Sequence, residues 1–385
     1  MRIVVAPDKF KGSLTAVEAA AAIGQGLRRS CPDAEIVLLP VADGGDGTVD
    51  AAVTAGYDRR TARVQGPTGR PVDADFALRG DSAVLELAEA SGLRRLPAGV
   101  PAPLTASTYG TGELLGAALA SGACRIVLGA GGSASTDGGA GMACALGVRL
   151  LDARGQDLPP GGAALRELHA VDVSGLRPEL ASCSVVLASD VDNPLLGDRG
   201  AAAVYGPQKG ATPQDVALLE AALTRYALVL HRELGIDVSS VPGAGAAGGT
   251  GAGALAFLSA RISSGIDLVL DVVRFAEALQ GADLVVTGEG SFDAQSLHGK
   301  APVGVAQAAA CAGVPVLALV GRLDVSAAQL QGVGIGSAHS LLDLEPDQET
   351  AIRHAGALLA RLAEDAGRTF AAARSEPTSS TAVPG

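Results

Sequence analysis

The sequence predicts an α/β protein of two α/β domains. One is doubly wound and formed by both chain ends; the other is a mixed-sheet domain inserted between them. Three observations carry that expectation. Short apolar runs that end in charged or glycine-rich loops and then open a helical pattern recur at both ends of the chain, the repeating unit of a doubly wound sheet. Between them, alternating runs bracket the turn Pro67–Thr68–Gly69–Arg70, as strands of an antiparallel or mixed sheet do. The chain has 385 residues, more than one hydrophobic core usually serves.

Composition narrows the function. Apolar residues make up 48% and charged residues 18%, the balance of a packed protein. Aromatics are only 3% and glycines number 52, so the core must be Ala, Val and Leu with many tight turns. The formal charge of −12, with no basic run, argues against nucleic acid or an anionic membrane as partner. It leaves room for a small anionic substrate met by local lysines. No apolar run reaches membrane-spanning length, and the N-terminus opens on a strand pattern instead of a leader, so a cytoplasmic chain is expected. Cys31, Cys124, Cys144, Cys183 and Cys311 are scattered, which predicts reduced, mostly buried thiols and neither a zinc site nor a disulfide framework.

Taken in order, a strand is expected at 2–6, stopped by Pro7, then a helix at 16–29 with Thr15 and Glu18 spaced as a capping box. A strand at 36–39 leads through the Asp43–Thr48 loop to a short helix. The pattern then changes to strands at 61–65, 72–78 and 83–87. A helix at 112–120, buried strands at 125–128 and 185–188, and helices at 213–234 and 250–259 follow. The βα pattern returns with a strand at 283–286, a helix after Lys300, a strand at 314–319 and a helix at 349–370. The doubly wound domain is thus expected over 1–60 plus 276–374, the inserted domain over 61–275, and a disordered Ser/Thr/Pro-rich tail over 375–385.

The chemistry gathers in the loops after strands. The run 284–286 breaks into Gly288–Glu289–Gly290, then Asp293 and Lys300, before a helix. Acids there can hold a metal or orient a hydroxyl, and a lysine beside a helix start can receive a phosphate. The loop Gly129–Gly139 carries Gly131, Gly132, Ser133, Ser135 and Asp137, which suits an anion nest of backbone N–H groups. It has neither a Walker lysine nor a dinucleotide fingerprint. Asp190, Asp192 and Asn193 follow a strand and suit Mg²⁺ or a base. Lys9 and Lys11 end the first strand and can meet a carboxylate or phosphate, while Asp43, Gly44 and Gly45 can orient substrate hydroxyls. Lys11 joins Asp190, Glu289 and Asp293 in the expected catalytic set. Acids, lysines and a glycine loop without a nucleophile–histidine pair point to phosphoryl transfer, which needs positioning and charge neutralisation.

The blocks Ala6–Leu14, Ala42–Thr48, Gly131–Gly141, Asp190–Gly197, Tyr205–Ala211, Gly245–Gly251 and Thr287–Ala306 together resemble the type-I glycerate kinase family, in family order over nearly the whole chain. That resemblance implies ATP- and Mg²⁺-dependent phosphorylation of D-glycerate and a flavodoxin-like domain made from both chain ends. By analogy the acceptor is O2, giving 2-phosphoglycerate. Phosphorylation at O3, a same-fold kinase for another small hydroxy acid and a non-catalytic anion-binding protein are the alternatives, with a monomer and a homodimer both open. The chain departs from the family pattern at Asp46, Thr136, Phe292 and Ser296, and Phe292 is expected to forgo a phosphate contact.

Overall fold

The structure, a computed structural model of the chain, describes residues 1–98 and 100–375. It forms two compact units, one of Met1–Ala42 with the chain from Val273 onward, the other of Asp43–Val272.

In the first unit a five-stranded, wholly parallel sheet runs Ser337–Ser340, Val316–Val320, Leu284–Gly288, Arg2–Pro7, Glu35–Leu38. Read from the other edge this is the order 2-1-3-4-5, the flavodoxin-like arrangement. The three central strands are almost entirely buried Val, Leu, Ile and Ala, as strands covered on both faces must be. The helix Ala16–Ser30 begins with the expected capping box: Thr15 Oγ1 accepts from Glu18 N (3.2 Å) and Glu18 Oε2 accepts from Thr15 N (2.8 Å). It packs against the long helix Ala355–Ser375 so closely that a methyl on Gly26 would lie 2.0 Å from the Ala360 carbonyl oxygen.

The second unit carries a mixed six-stranded sheet: Arg261–Ser263, Ser184–Ala188, Arg125–Gly129, Ser82–Glu86, Pro71–Arg79, Asp58–Gln65. The first four are parallel and the last three antiparallel. The parallel strands all end at one edge, so the loops after Glu86, Gly129, Ala188 and Ser263 emerge side by side. The helix Pro213–Leu234, capped by Thr212 and Asp215, buries Leu219, Leu223, Tyr226 and Leu230.

Several expectations are corrected. Residues 43–60, expected with the first domain, group with the second unit, because the helix Thr48–Thr54 buries Val49 and Ala52 against Ala77 and Val84. The C-terminal helix is two helices, Gln348–Arg353 and Ala355–Ser375, broken at His354. The helix expected from 250 begins at Ala246 through a left-handed kink at Ala247–Gly249. The strand Ser337–Ser340 was not foreseen, since its polar residues sit on a sheet edge and carry no apolar run. The cysteines are free, but only Cys31 is buried and Cys311 is exposed. Of the tail expected at 375–385, Ser375 ends the last helix and the remainder lies outside the described residues. Among the described residues no helix is long and apolar enough to cross a membrane.

Candidate active site

Three loops meet at the carboxyl edge of the second unit's sheet. The Asp43–Gly45 loop is pressed between the other two, and only glycine fits there. A methyl on Gly129 would stand 2.5 Å from the Gly44 carbonyl oxygen, and one on Gly131 2.5 Å from the Gly45 Cα. On its other side, a methyl on Gly44 would meet the Gly265 Cα at 2.9 Å and the Ala188 Cβ at 3.1 Å. Gly44 also has a φ of +80°, which a side chain would strain. The glycine loop, the Asp43 loop and the Asp190 strand end therefore form one continuous surface.

Asp190 is anchored there. Its Oδ1 accepts from Gly265 N at 2.7 Å, and Ser264 adds a side-chain hydrogen bond. Although the residue stays open to solvent, partial desolvation of its carboxyl, reinforced by the charges of Asp43 and Asp267, pushes it up to about 6. Gly265 lies between the two acids: a methyl on it would reach 2.1 Å from the Asp43 carbonyl oxygen and 3.0 Å from Asp190 Oδ2. A carboxylate held near neutrality at a sheet edge is suited to proton transfer.

Under the glycine loop lies Lys209, on the short turn Pro207–Lys209 and 3% exposed. Its Nζ donates to Ser133 Oγ (2.8 Å) and to the Ser135 carbonyl (2.5 Å). Burial lowers it to about 7, against the upward pull of Asp137. Asp137 is fully buried and works on the loop's own backbone. Its Oδ2 accepts from Thr108 N (2.8 Å), Thr108 Oγ1 (2.9 Å) and Gly141 N (3.2 Å). It braces the loop.

Beside the same edge, Glu86 ends its strand with both backbone donors Gly47 N (3.0 Å) and Val49 N (2.7 Å) on Oε1. Burial drives it up to about 7, and Asp46 and Glu89 push the same way, with Arg94 opposing from 3.9 Å. Leu93 N donates to the Gly132 carbonyl, so Arg94 sits next to the glycine loop.

The first unit builds a second cluster at the switch point of its sheet, where the Arg2–Pro7 and Leu284–Gly288 strands end together. Pro7 pairs with Gly288, Asp8 N donates to the Gly288 carbonyl (2.8 Å), and Thr287 Oγ1 to the Ala6 carbonyl (2.8 Å). A methyl on Gly290 would stand 2.9 Å from Lys11 N, so the Lys11 and Glu289 segments run in contact. Lys9 Nζ lies 3.7 Å from Asp8 Oδ1, and Glu289 is buried. Exposed Lys11 borders a cavity of about 330 Å³ with Phe10, Gly290, Ser291 and Arg322. Asp293 is spent on its turn, accepting from Gln295 N (2.8 Å) and Ser296 N (3.3 Å), and Lys300 stands at the N-cap of the helix Ala301–Cys311. Phe292 is fully buried, so its departure from the family pattern is a matter of packing.

The structure thus brings Asp43, Gly44, Gly45, Gly131, Gly132, Ser133, Ser135 and Asp190 to one edge, and Lys9, Lys11 and Glu289 to another. It does not bring the expected metal set together. Asp192 is exposed and pairs with Arg199 (3.1 Å), while Asn193 donates to the Arg199 carbonyl (2.8 Å) and accepts from Tyr205 OH (2.6 Å). Those side chains fold the loop beyond Asp190. Lys209, Glu86 and Gly265 join these surfaces without being expected from the sequence pattern. Lys209 lies far along the chain in an otherwise polar turn, and only its place inside a block of the family pattern signalled it. Glu86 closes an apolar strand with nothing to mark its burial.

Residues 3–371 match the model of the glycerate kinase family. The glycerate kinase of Halalkalibacterium halodurans is 47% identical over 366 residues, 94% of this chain and 96% of its own length. The glycerate 2-kinase of Escherichia coli is 45% identical over 375 residues, covering 96% and 98%. A crystal structure provisionally assigned as glycerate kinase 2 of Salmonella typhimurium superposes with a TM-score of 0.86 at 43% identity, over 98% of this chain and all of that one.

Proposed function

Because the chain belongs to the glycerate kinase family, we propose that it transfers the γ-phosphate of ATP to O2 of D-glycerate, giving 2-phosphoglycerate, ADP and a proton. The name of the Escherichia coli relative supports O2 as the acceptor. The observation that carries the reading is the contact of the Asp43–Gly45 loop with both the glycine loop and the Asp190 strand end. The proposed phosphate-binding loop and a carboxylate of raised pKa share one edge.

The glycine loop, through Gly131, Gly132, Ser133 and Ser135, receives the ATP phosphates. Asp190 accepts the proton as the glycerate O2 forms its bond to the γ-phosphorus and the bond from that phosphorus to ADP breaks. Lys9 or Lys11 is the candidate cation for a substrate carboxylate at the first unit's edge, which Lys300 and Glu289 share. The field of Asp43, Asp190 and Asp267 fits a divalent cation. Among the described residues no three acid, histidine or cysteine side chains form a cage, which agrees with the few protein ligands that ATP-borne Mg²⁺ takes. Asp43 would hold it, with Asp190 beside it. Mg²⁺ supplies neutralisation of charge on the β- and γ-phosphate oxygens. The protein is expected to work in the cytoplasm.

A coupled ADP-release assay with Mg-ATP and a panel of hydroxy acids tests this reading. ADP release should depend on D-glycerate. Release driven better by another hydroxy acid would move the activity to a sister kinase of the same fold.

A further inference from the structure

Lys209 presents an unusual combination. Its ammonium group is buried, yet among the described residues it forms no ion pair, and both its hydrogen-bond acceptors, Ser133 Oγ and the Ser135 carbonyl, are neutral. The charge of buried Asp137 favours the lysine's ionised form while burial opposes it, so an anion arriving above the loop would tip that balance. The surroundings are shaped around it. Gly248, with a φ of +70°, has no room for a side chain: a methyl there would lie 2.0 Å from the Ser135 carbonyl oxygen and 2.7 Å from Lys209 Nζ. That position belongs to the left-handed run Ala247–Gly249, in which even an alanine is held at a positive φ of 54°. Gly138 N donates to the Gly248 carbonyl, which closes the frame around the loop.

We propose that Lys209 is the positioning residue of the nucleotide loop, setting the ATP-binding arrangement of residues 131–139 through Ser133 and Ser135 without itself touching a phosphate. By donating to Ser133 Oγ it occupies the acceptor side of that hydroxyl and leaves its proton to be given to a phosphate oxygen. By holding the Ser135 carbonyl inward it keeps an oxygen lone pair away from the incoming anion. Its amino group lies directly beneath the loop, where an incoming phosphate favours its protonated form. Ser135 Oγ and Thr136 Oγ1 are buried without a hydrogen-bond partner among the described residues, two further hydroxyl groups in the segment the lysine holds.

The inference rests on the reading of this loop as the nucleotide site, and the test separates the two. Hydrogen exchange of the wild-type protein with a non-hydrolysable ATP analogue should protect amides in residues 131–139. If the analogue binds and those amides stay unprotected, the nucleotide-loop reading falls. With protection seen, Lys209→Met should weaken analogue affinity and raise the KM for ATP by about tenfold or more, the loss of charge-assisted hydrogen bonds. KM for glycerate should stay within about twofold. A purely structural lysine would instead lower thermal stability and disturb both substrates alike. Ser133→Ala should raise the ATP KM by a smaller factor, and the double variant should fall short of the product of the two, because the residues act in series. Unchanged ATP affinity in folded Lys209→Met, or strictly multiplicative effects, would overturn the inference. Should Lys209→Met fail to fold, Lys209→Gln is read in its place: a selective rise in the KM for ATP supports the inference and unchanged ATP affinity overturns it.

Discussion

Asp190 is held at its strand end by the Gly265 amide, yet partial desolvation and the Asp43 charge both oppose its ionised form. Such a carboxylate is expected to show its state in the pH profile. A protonated Asp190 cannot accept the glycerate proton, so kcat/KM should level off above about 6 and fall as pH drops below it. The fall should move to lower pH as Mg²⁺ beside the carboxylate favours its ionised form. Asp190→Asn keeps the shape and removes the base. Its kcat should fall about 10²-fold or more with glycerate affinity and thermal stability little changed, measured by steady-state kinetics and calorimetry. Retention of most of the kcat would reduce Asp190 to a turn residue. Glu86 gives a separate prediction, on stability. Burial raises it from 4.5 to about 7, so the folded protein holds its proton more tightly than the unfolded chain. The stabilisation is complete below the unfolded value and lost as pH rises through about 7. Its upper bound is about 3 kcal/mol for a shift of that size. Glu86→Gln keeps an oxygen for the Gly47 and Val49 amides. Its melting temperature should exceed that of the wild type above pH ~7, a gain that disappears towards pH ~5. Parallel melting curves across that range would contradict the assignment.

At the scale of elements, close backbone approach does the positioning, and two glycines separate its structural use from its functional one. Gly26→Ala would drive a methyl into the Ala360 carbonyl where two helices cross. It should cost about 1–3 kcal/mol in a melting experiment and leave both KM values alone. Gly131→Ala would push against Gly45. It should cost a similar amount and also raise the KM for ATP several-fold, since it separates the loops that build the site. Equal kinetic effects from the two would contradict the proposed edge. Much of this level was legible in the sequence. Apolar runs at 2–6, 125–128, 185–188 and 283–286 gave buried strands because strands covered on both faces need no alternation. Pattern could not show which side chains turn back onto their own loop. Asp137, Asp192, Asn193 and Asp293 read as ligands because acids and amides after strands look alike, whether they cap a turn or meet a substrate.

At the scale of the molecule, the alternation of βα units at both chain ends with alternating strands between them foretold two α/β bodies. It misplaced the first boundary because the Asp43–Thr48 loop continues the βα rhythm while its helix packs on the second sheet. The net charge of −12 sets the general field against anionic substrates, so under the proposed function their capture would fall to local lysines such as Lys9, Lys11 and Lys300. Replacing Lys9 or Lys11 by Ala should raise the KM for glycerate far more than that for ATP, and equal rises in steady-state kinetics would contradict their role. The central claim, transfer to O2 of glycerate, is tested most directly by phosphorus NMR of a reaction containing the protein, ATP, Mg²⁺ and D-glycerate. The account predicts 2-phosphoglycerate growing in step with ADP. A 3-phosphoglycerate resonance, or ADP without any phosphoglycerate, would contradict it.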